Sequence, residues 1–181
     1  MWIQVAVIVV SLSLVVFCLV LLTKIFLSFT TMILFGGAYF AGTSDERLKQ
    51  VLKLAGLKPG DRLLDIGSGD GRVVSAAAQA GVKATGVEIN PYYVWLSRLK
   101  IKHLGLSDKA KIVRSDQWQF DTSPYSVVVV YGIGYMMERL KEKLERELKP
   151  GSRIISVYFP IPGWKIVKQL GDIKLYQLVR G

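Results

Sequence analysis

Residues 63–74 read LLDIGSGDGRVV. An apolar run ends in an acid, glycine then occupies every second position, and an arginine leads into small apolar residues. That is the pattern of a buried strand passing through a tight turn into a helix. Glycines 67, 69 and 71 permit left-handed backbone and let a ligand approach the main chain. Outward from this turn the chain alternates helix and strand. On the N-terminal side TSDERLKQVLKLAGL (43–57) predicts an amphipathic helix, with Thr43 and Glu46 spaced as a capping box and Leu48, Val51, Leu52 and Leu54 on one face. On the C-terminal side the order is helix DGRVVSAAAQAG, strand ATGVEI, helix NPYYVWLSRLKIKHLG, strand AKIVRS, a loop through QWQFDTSPY, strand SVVVVYG, helix MMERLKEKLERELK and strand RIISVYF. VVVVY and IISVYF are apolar enough to be central strands covered on both faces of a parallel sheet. Two short strand-like runs flank Gly171 and Asp172 near the end, predicting a terminal β-hairpin. The expected class is α/β, Rossmann-like, with a mostly parallel sheet of seven strands.

The 181 residues are unevenly charged: of 24 basic residues only Lys24 precedes Gly42, and all 14 acidic residues follow it, leaving the C-terminal part at +9. MWIQVAVIVVSLSLVVFCLVLL offers about 20 uncharged residues, enough for a helix across roughly 30 Å of hydrocarbon. It lacks the basic start and the small-residue cleavage site of a signal peptide. The expected organisation is an anchor over residues 1–24, an apolar connecting or membrane-interface segment over 25–42, and a catalytic domain over 43–181. Arg47, Lys49, Lys53, Lys58 and Arg62 follow the anchor closely, so the positive-inside tendency places the domain in the cytoplasm. A lipid bilayer is therefore an expected partner, with anionic headgroups attracting the basic domain. Nucleic acid is not expected, because the lysines are spread over amphipathic helices. A single cysteine, Cys18, and a single histidine, His103, exclude a disulfide framework and a Cys/His metal cluster; no metal is expected.

The ligand of the turn follows from charge. A dinucleotide fingerprint, G-x-G-x-x-G, would require glycine where Arg72 stands, and its pyrophosphate would be repelled by Asp65 and Asp70. Both acids instead suit a sulfonium and an α-ammonium. Glu88, ending the second strand about twenty residues after the first glycine, is placed to accept the hydroxyls of an adenosine ribose. Asp116, Gln117 and Trp118 follow the third strand, where they can meet an adenine edge and face. D-x-G-x-G-x-G, an acid after strand two and an acid after strand three together specify S-adenosylmethionine. The expected cofactor contacts are Asp65, Ile66, Gly67, Ser68, Gly69 and Asp70 on the turn, Glu88, Ile89 and Asn90 after strand two, and Asp116, Gln117 and Trp118 after strand three. Asn90 and Pro91 also read as a helix N-cap and first-turn proline. Arg72 reads as a partner for a carboxylate of the loop or a cap on the sheet.

DIGSGDGRVV, VEINPYYVWLSR, SDQW, SPYSVVVVYGIGYMMERLKEKLERELKPGSRIIS and FPIPGW together resemble the small membrane-anchored seven-β-strand lysine methyltransferases of the ATP synthase c-subunit and the adenine nucleotide translocase, and their prokaryotic relatives. The resemblance runs from about Tyr39 to the end. It implies a class I S-adenosylmethionine-dependent fold preceded by a transmembrane helix, and transfer of methyl groups to the ε-amine of lysine in a membrane or membrane-proximal protein. It also implies single-pass membrane location, with the domain on the cytoplasmic side, or the matrix side in a mitochondrion. Tyr39 and Thr43 fall where the family approaches the cofactor, although GGAYFAGTS lacks the family's prolines. Tyr131, at the end of strand four, falls beside both cofactor and substrate. Tyr135 and Glu138 on the next helix and Phe159, Pro160 and Trp164 after strand five are the further candidates for the rim of a lysine channel. Two other readings stay open: methylation of a lipid, quinone or other small apolar molecule, and a non-catalytic scaffold that binds the cofactor.

Overall fold

The structure, a computed structural model, describes residues 2–35 and 43–179, except for the side chains of 27–35. Tyr39 and the last part of the apolar connector lie outside the described residues. The chain divides into two compact units, Met1–Tyr39 and Phe40–Gly181.

The first unit carries one continuous helix, α1, Trp2–Phe35. It passes well beyond residue 24, where the anchor is expected to end. Its 34 residues would measure roughly 50 Å, longer than a hydrocarbon core. Trp2–Phe26 is long and apolar enough to cross a membrane. The hydroxyls of Ser13 and Thr23 donate back to the carbonyls of Val9 and Leu19 at 2.9 and 2.8 Å, which removes two polar hydrogens that lipid could not satisfy.

The second unit is a seven-stranded sheet between two apolar layers. In chain order its elements are α2 (Asp45–Ala55), β1 (Arg62–Ile66), α3 (Arg72–Gln79), β2 (Lys83–Glu88), α4 (Pro91–His103), β3 (Ala110–Arg114), β4 (Val127–Val130), a 3-10 turn (Gly134–Met136), α5 (Met137–Glu147), β5 (Arg153–Val157), β6 (Lys168–Leu170) and β7 (Ile173–Gln177). The strand order is β3-β2-β1-β4-β5-β7-β6. All pairings are parallel except those of β7, which runs antiparallel to β5 and forms the expected hairpin with β6. β1 therefore has β2 on one side and β4 on the other, so the chain reverses its direction of winding at β1, where open α/β sheets bind ligands.

Alternation along the strands sorts the core. Leu63, Val127, Val129, Ile155 and Val157 pack with Val51 of α2, Val74 of α3 and Val94 of α4, while Leu64, Ile66, Val128, Val130 and Ile154 pack with Leu140 and Leu144 of α5. β4 is buried at all four positions, as a central strand covered on both faces must be. One local expectation is corrected: the N-cap of α2 is Ser44, whose hydroxyl accepts from the Arg47 N–H at 3.2 Å. Thr43 is buried and gives its carbonyl to the Arg72 guanidinium instead. Beneath α2, Arg153 of β5 donates to the Ala55 and Gly56 carbonyls at the helix end and pairs with Asp61.

Candidate active site

The turn after β1 is held by the neighbouring strand. Gly67 and Ser68 N–H both donate to the Val87 carbonyl, at 2.9 and 3.0 Å. Gly67, Gly69 and Gly71 all have positive φ, which side chains resist. Gly71 also starts α3, and a Cβ there would stand 2.8 Å from Ser97 Cβ on α4. Gly86, opposite Asp65 in β2, is equally committed: a Cβ would strike Ser68 Oγ and come within 2.7 Å of Ile112 Cδ1. A glycine inside a strand marks such a close backbone approach. That signal in ATGVEI, and the small Ser97 facing Gly71, identify two supporting residues that the sequence reading passed over.

The acids separate into two kinds. Asp70 is neutralised by protein: Arg72 donates to it from Nε at 3.1 Å and Nη2 at 2.9 Å, and Lys100 Nζ lies 3.5 Å away. Burial would raise the Asp70 carboxyl, but these cations outweigh it and hold it below its ordinary value. Asp70 thereby fixes Arg72, which reaches on to Thr43. Asp65 has no such help. It is buried, its Oδ1 has no hydrogen-bond partner, and burial, reinforced by Glu88 and Asp70, pushes its carboxyl up to about 8. Ser68 Oγ beside it is also buried without a partner.

Glu88 does more than the sequence indicated. Its Oε2 accepts from Gly69 N–H at 2.9 Å and its Oε1 from Asn90 N–H at 2.8 Å. The carboxylate thereby clamps the glycine turn to the start of α4, and each oxygen keeps a lone pair. Burial raises its pKa although those N–H groups oppose the shift. Asn90 is buried and caps α4 through the Tyr92 N–H at 3.0 Å, followed by Pro91 at the first turn. Ile89 is half-buried between them. Ile66 packs its side chain into the α5 layer, leaving only its backbone to face a ligand.

Beyond β3, Asp116 Oδ1 accepts from Trp118 N–H at 2.9 Å, a local turn that positions the half-buried Gln117 and Trp118. One face of the Trp118 ring carries the Arg139 guanidinium at 4.1 Å, and the ring packs against the α5-side core.

The candidate channel rim is distributed over both faces of the sheet. Tyr131 follows Val129 on the same face as Asp65. Its hydroxyl is buried and makes no hydrogen bond, and burial lifts the phenol to about 12 despite the nearby Thr43 side chain. Its ring meets Tyr158 edge-on at 6.4 Å, and Arg47 of α2 lies over Tyr158 at 4.8 Å. Tyr158 is the one non-glycine residue with positive φ among the described residues, at 70°. Lys174 Nζ donates to its carbonyl at 3.1 Å, and its own N–H reaches the Asp172 carbonyl at 3.0 Å. Neither Tyr158 nor Arg47 was singled out by spacing, because backbone strain leaves no sequence pattern. Phe159 lies at the strand mouth, 3.5 Å from where a Gly134 Cβ would stand. Pro160 and Tyr135 are exposed, and Glu138 is exposed beside Lys141 at 3.4 Å. Trp164 turns away: its Nε1 donates to Glu145 at 2.7 Å and its ring packs on Tyr176. Glu145 is eight residues into α5, about 12 Å from the helix end at the strand mouth.

These residues fit S-adenosylmethionine by chemistry. An orphaned buried carboxylate seeks a cation, the adjacent hydroxyl is unpartnered, and the space where a Gly67 Cβ would stand is clear of other atoms within 4 Å.

Comparison with known proteins gives the same answer independently. The model of the ANTKMT methyltransferase domain matches residues 65–168. The human lysine N-methyltransferase of the ATP synthase c-subunit is 43% identical over 125 residues, 69% of this chain and 53% of that protein. A protein-lysine N-methyltransferase of Saccharolobus islandicus is 35% identical over 127 residues, 69% of this chain and 79% of that protein. The chain spans about half the length of several curated relatives it matches. Among solved structures, an RNA methyltransferase from Salinibacter ruber in complex with S-adenosyl-L-homocysteine superposes with a TM-score of 0.71 at 30% identity, covering 76% of this chain and 92% of that one. The fold is therefore that of Rossmann-like methyltransferases, and the chain belongs to the ANTKMT methyltransferase domain family.

Proposed function

We propose that this protein is an S-adenosylmethionine-dependent protein-lysine N-methyltransferase acting on a membrane or membrane-proximal protein. The observation that carries the reading is Asp65: a buried carboxylate with an unpartnered oxygen, at the carboxyl end of β1 where the winding reverses. Leaving such a group buried and unpartnered is costly, and a bound cation would complete it. S-adenosylmethionine, when bound, supplies a methyl group on a sulfonium that is its own leaving group. Asp65 would hold the cationic end, Ser68 and the open face of Gly67 the amino-acid part, and Glu88 the ribose through its remaining lone pairs. Asp116, Gln117 and Trp118 would border the base.

Tyr131 lies on the Asp65 side of the sheet, within reach of its field. A phenol with a pKa near 12 keeps its proton at neutral pH, so Tyr131 serves as a hydrogen-bonding partner for a lysine amine and not as its base. Tyr158 and Phe159 offer the aromatic wall along which a lysine stem can lie. The amine, with an ordinary pKa of about 10.4, would lose its proton through desolvation on entering that wall. Alignment then supplies most of the catalysis.

The domain limits 1–24, 25–42 and 43–181 belong to the same proposal, with α1 as a single-pass anchor and the domain on the cytoplasmic side, or the matrix side in a mitochondrion. The test is incubation of the detergent-solubilised chain with methyl-labelled S-adenosylmethionine and a membrane fraction, read by mass spectrometry. Methylated lysine in discrete proteins, lost in Asp65→Asn, is the expected result. Label confined to the organic extract, or absent although the cofactor binds, overturns it.

A further inference from the structure

The α4 side of the domain carries a surface that the active site does not use. Val94, Ser97 and Ile101 turn one face of α4 into the core. On the opposite face Trp95 and Leu99, one turn apart, are 57% and 46% exposed, and Leu104 at the helix end is 41% exposed. An indole and a leucine side by side in water on one helix face mark an interaction surface more than a solvated one. β3, packed beside α4, is the outermost strand of the sheet. Lys102, Lys109, Lys111 and Arg114 are all exposed along this edge. Residues 91–115 hold six lysines and arginines against Asp108 alone. This single edge thus supplies +5 of the +9 formal charge that follows Gly42. Arg98 spends its guanidinium on the Ile112 carbonyl, and Lys100 spends its ammonium on Asp70. Of the four remaining cations, Lys102 shares the outer face of α4 with Trp95 and Leu99, and Lys109, Lys111 and Arg114 continue as an exposed basic rim along the neighbouring β3 edge.

We propose that the outer face of α4 and the β3 edge dock on the surface of an anionic bilayer, with Trp95 and Leu99 entering the interface and the rim cations meeting the headgroups. Aromatic and aliphatic side chains surrounded by lysine are the composition of an interfacial helix. A nucleic acid would stack on Trp95 but has no use for exposed leucines. The choice of occupant rests on the reading of α1 as a membrane anchor, which would keep the domain within reach of lipid. Each rim lysine adds to attraction toward anionic headgroups, and salt screens that attraction.

The test uses the full chain in nanodiscs of brominated phosphatidylcholine, with or without phosphatidylserine, comparing the parent with Trp95→Phe. The other tryptophans are common to both proteins, so the difference in emission belongs to Trp95. Expected is quenching of that difference signal by roughly two-fold or more in anionic discs, lost in neutral discs, in high salt and in Lys102→Glu/Lys109→Glu/Lys111→Glu, whose cofactor binding stays at the parent level. No quenching in anionic discs overturns the proposal. So does equal quenching in neutral discs, or a Trp95 response to single-stranded RNA without lipid. The difference between Trp95→Phe and Trp2→Phe/Trp95→Phe isolates Trp2 in the same way and tests insertion of α1, so failure of the anchor and failure of the docking face are read apart.

Discussion

Cofactor affinity should rise roughly 50- to 100-fold between about pH 5.5 and about pH 7.5, because Asp65 must lose a proton before it can face a cation. Burial, then the Glu88 and Asp70 charges, push this carboxyl up to about 8. A single group of that kind changes affinity tenfold per pH unit below its pKa and levels off above it. The ligand's own α-ammonium titrates near about 7.7–8.0, so the curve should turn over close to pH 8. Isothermal calorimetry across this range, in buffers of differing ionisation heat, would give both the affinity and the one proton released per cofactor bound. S-adenosylhomocysteine retains the ammonium and should follow the same rising limb. The sign for folding is opposite. A carboxyl whose native pKa is raised contributes stability that is fully present below about pH 4 and is lost as the pH climbs through about 8. Asp65→Asn should therefore melt above the parent at pH 9, match it more closely at pH 5, and bind cofactor weakly with a flattened profile. Affinity in the parent that is flat from pH 5.5 to 7.5, or a slope that survives in Asp65→Asn, would refute the assignment of Asp65 as the cation site.

Glu88→Gln should weaken cofactor binding nearly as much as Glu88→Ala, because an amide cannot accept from both Gly69 and Asn90 N–H; the stranded donor also costs about 1–3 kcal/mol, measurable by urea titration. Gly71→Ala should destabilise by about 2–4 kcal/mol from left-handed strain and the Ser97 contact, and adding Ser97→Gly should recover only the steric part. Arg153→Met strands Asp61, whose carboxyl is held low because Arg153, the Lys58 N–H and Ser126 together outweigh its burial; a loss of about 3 kcal/mol is expected near neutrality. The parent should lose that same stability as the pH falls below about 4, whereas Arg153→Met should titrate less steeply in acid melts. Tyr158→Asn should keep or raise the melting temperature, since asparagine tolerates the left-handed region, while methyl transfer falls with cofactor affinity unchanged. Unchanged turnover in that variant would reduce Tyr158 to packing.

The fold was largely legible in the sequence, because burial on two faces leaves unmistakable marks. VVVVY reads as a central strand covered on both faces, and β4 is buried throughout. The acids were legible by type and spacing, but their division of labour was not. Asp65 and Asp70 stand five residues apart in one motif, and only the approach of Arg72 and Lys100 shows that the second is already paired. Trp164 illustrates the limit at the substrate end. A tryptophan after a strand mouth reads as a channel wall, yet its indole N–H finds Glu145 on α5, a contact that depends on how the FPIPGW segment folds back. The reach of α1 past residue 24 was hidden for a related reason, since so apolar a stretch has no periodicity from which to read a break.

The distribution of charge around the turn explains why this domain selects a cation although it is strongly basic overall. Among the described residues, the cations that reach the glycine turn and Tyr158 are already engaged: Arg72 by Asp70 and the Thr43 carbonyl, Lys100 by Asp70, Arg98 by Ile112, and Arg47 by the Tyr158 ring and by Asp172 at 4.0 Å. The acids that remain, Asp65 and Glu88, both have raised pKa values chiefly from burial, so once Asp65 gives up its proton to face a cation, the negative potential is concentrated where water is excluded and screening is weak. The surplus positive charge sits on the solvent side, along α4 and β3, where salt screens it. Short-range negative potential inside and long-range positive potential outside can then act on different partners without cancelling. On the proposed reading the inner field would hold the cationic end of the cofactor, whose own positive charge would then favour a lysine amine arriving neutral beside Tyr131. A second cation brought fully charged against the sulfonium would be repelled, so a site holding the methyl donor would also bias a lysine acceptor toward its reactive protonation state.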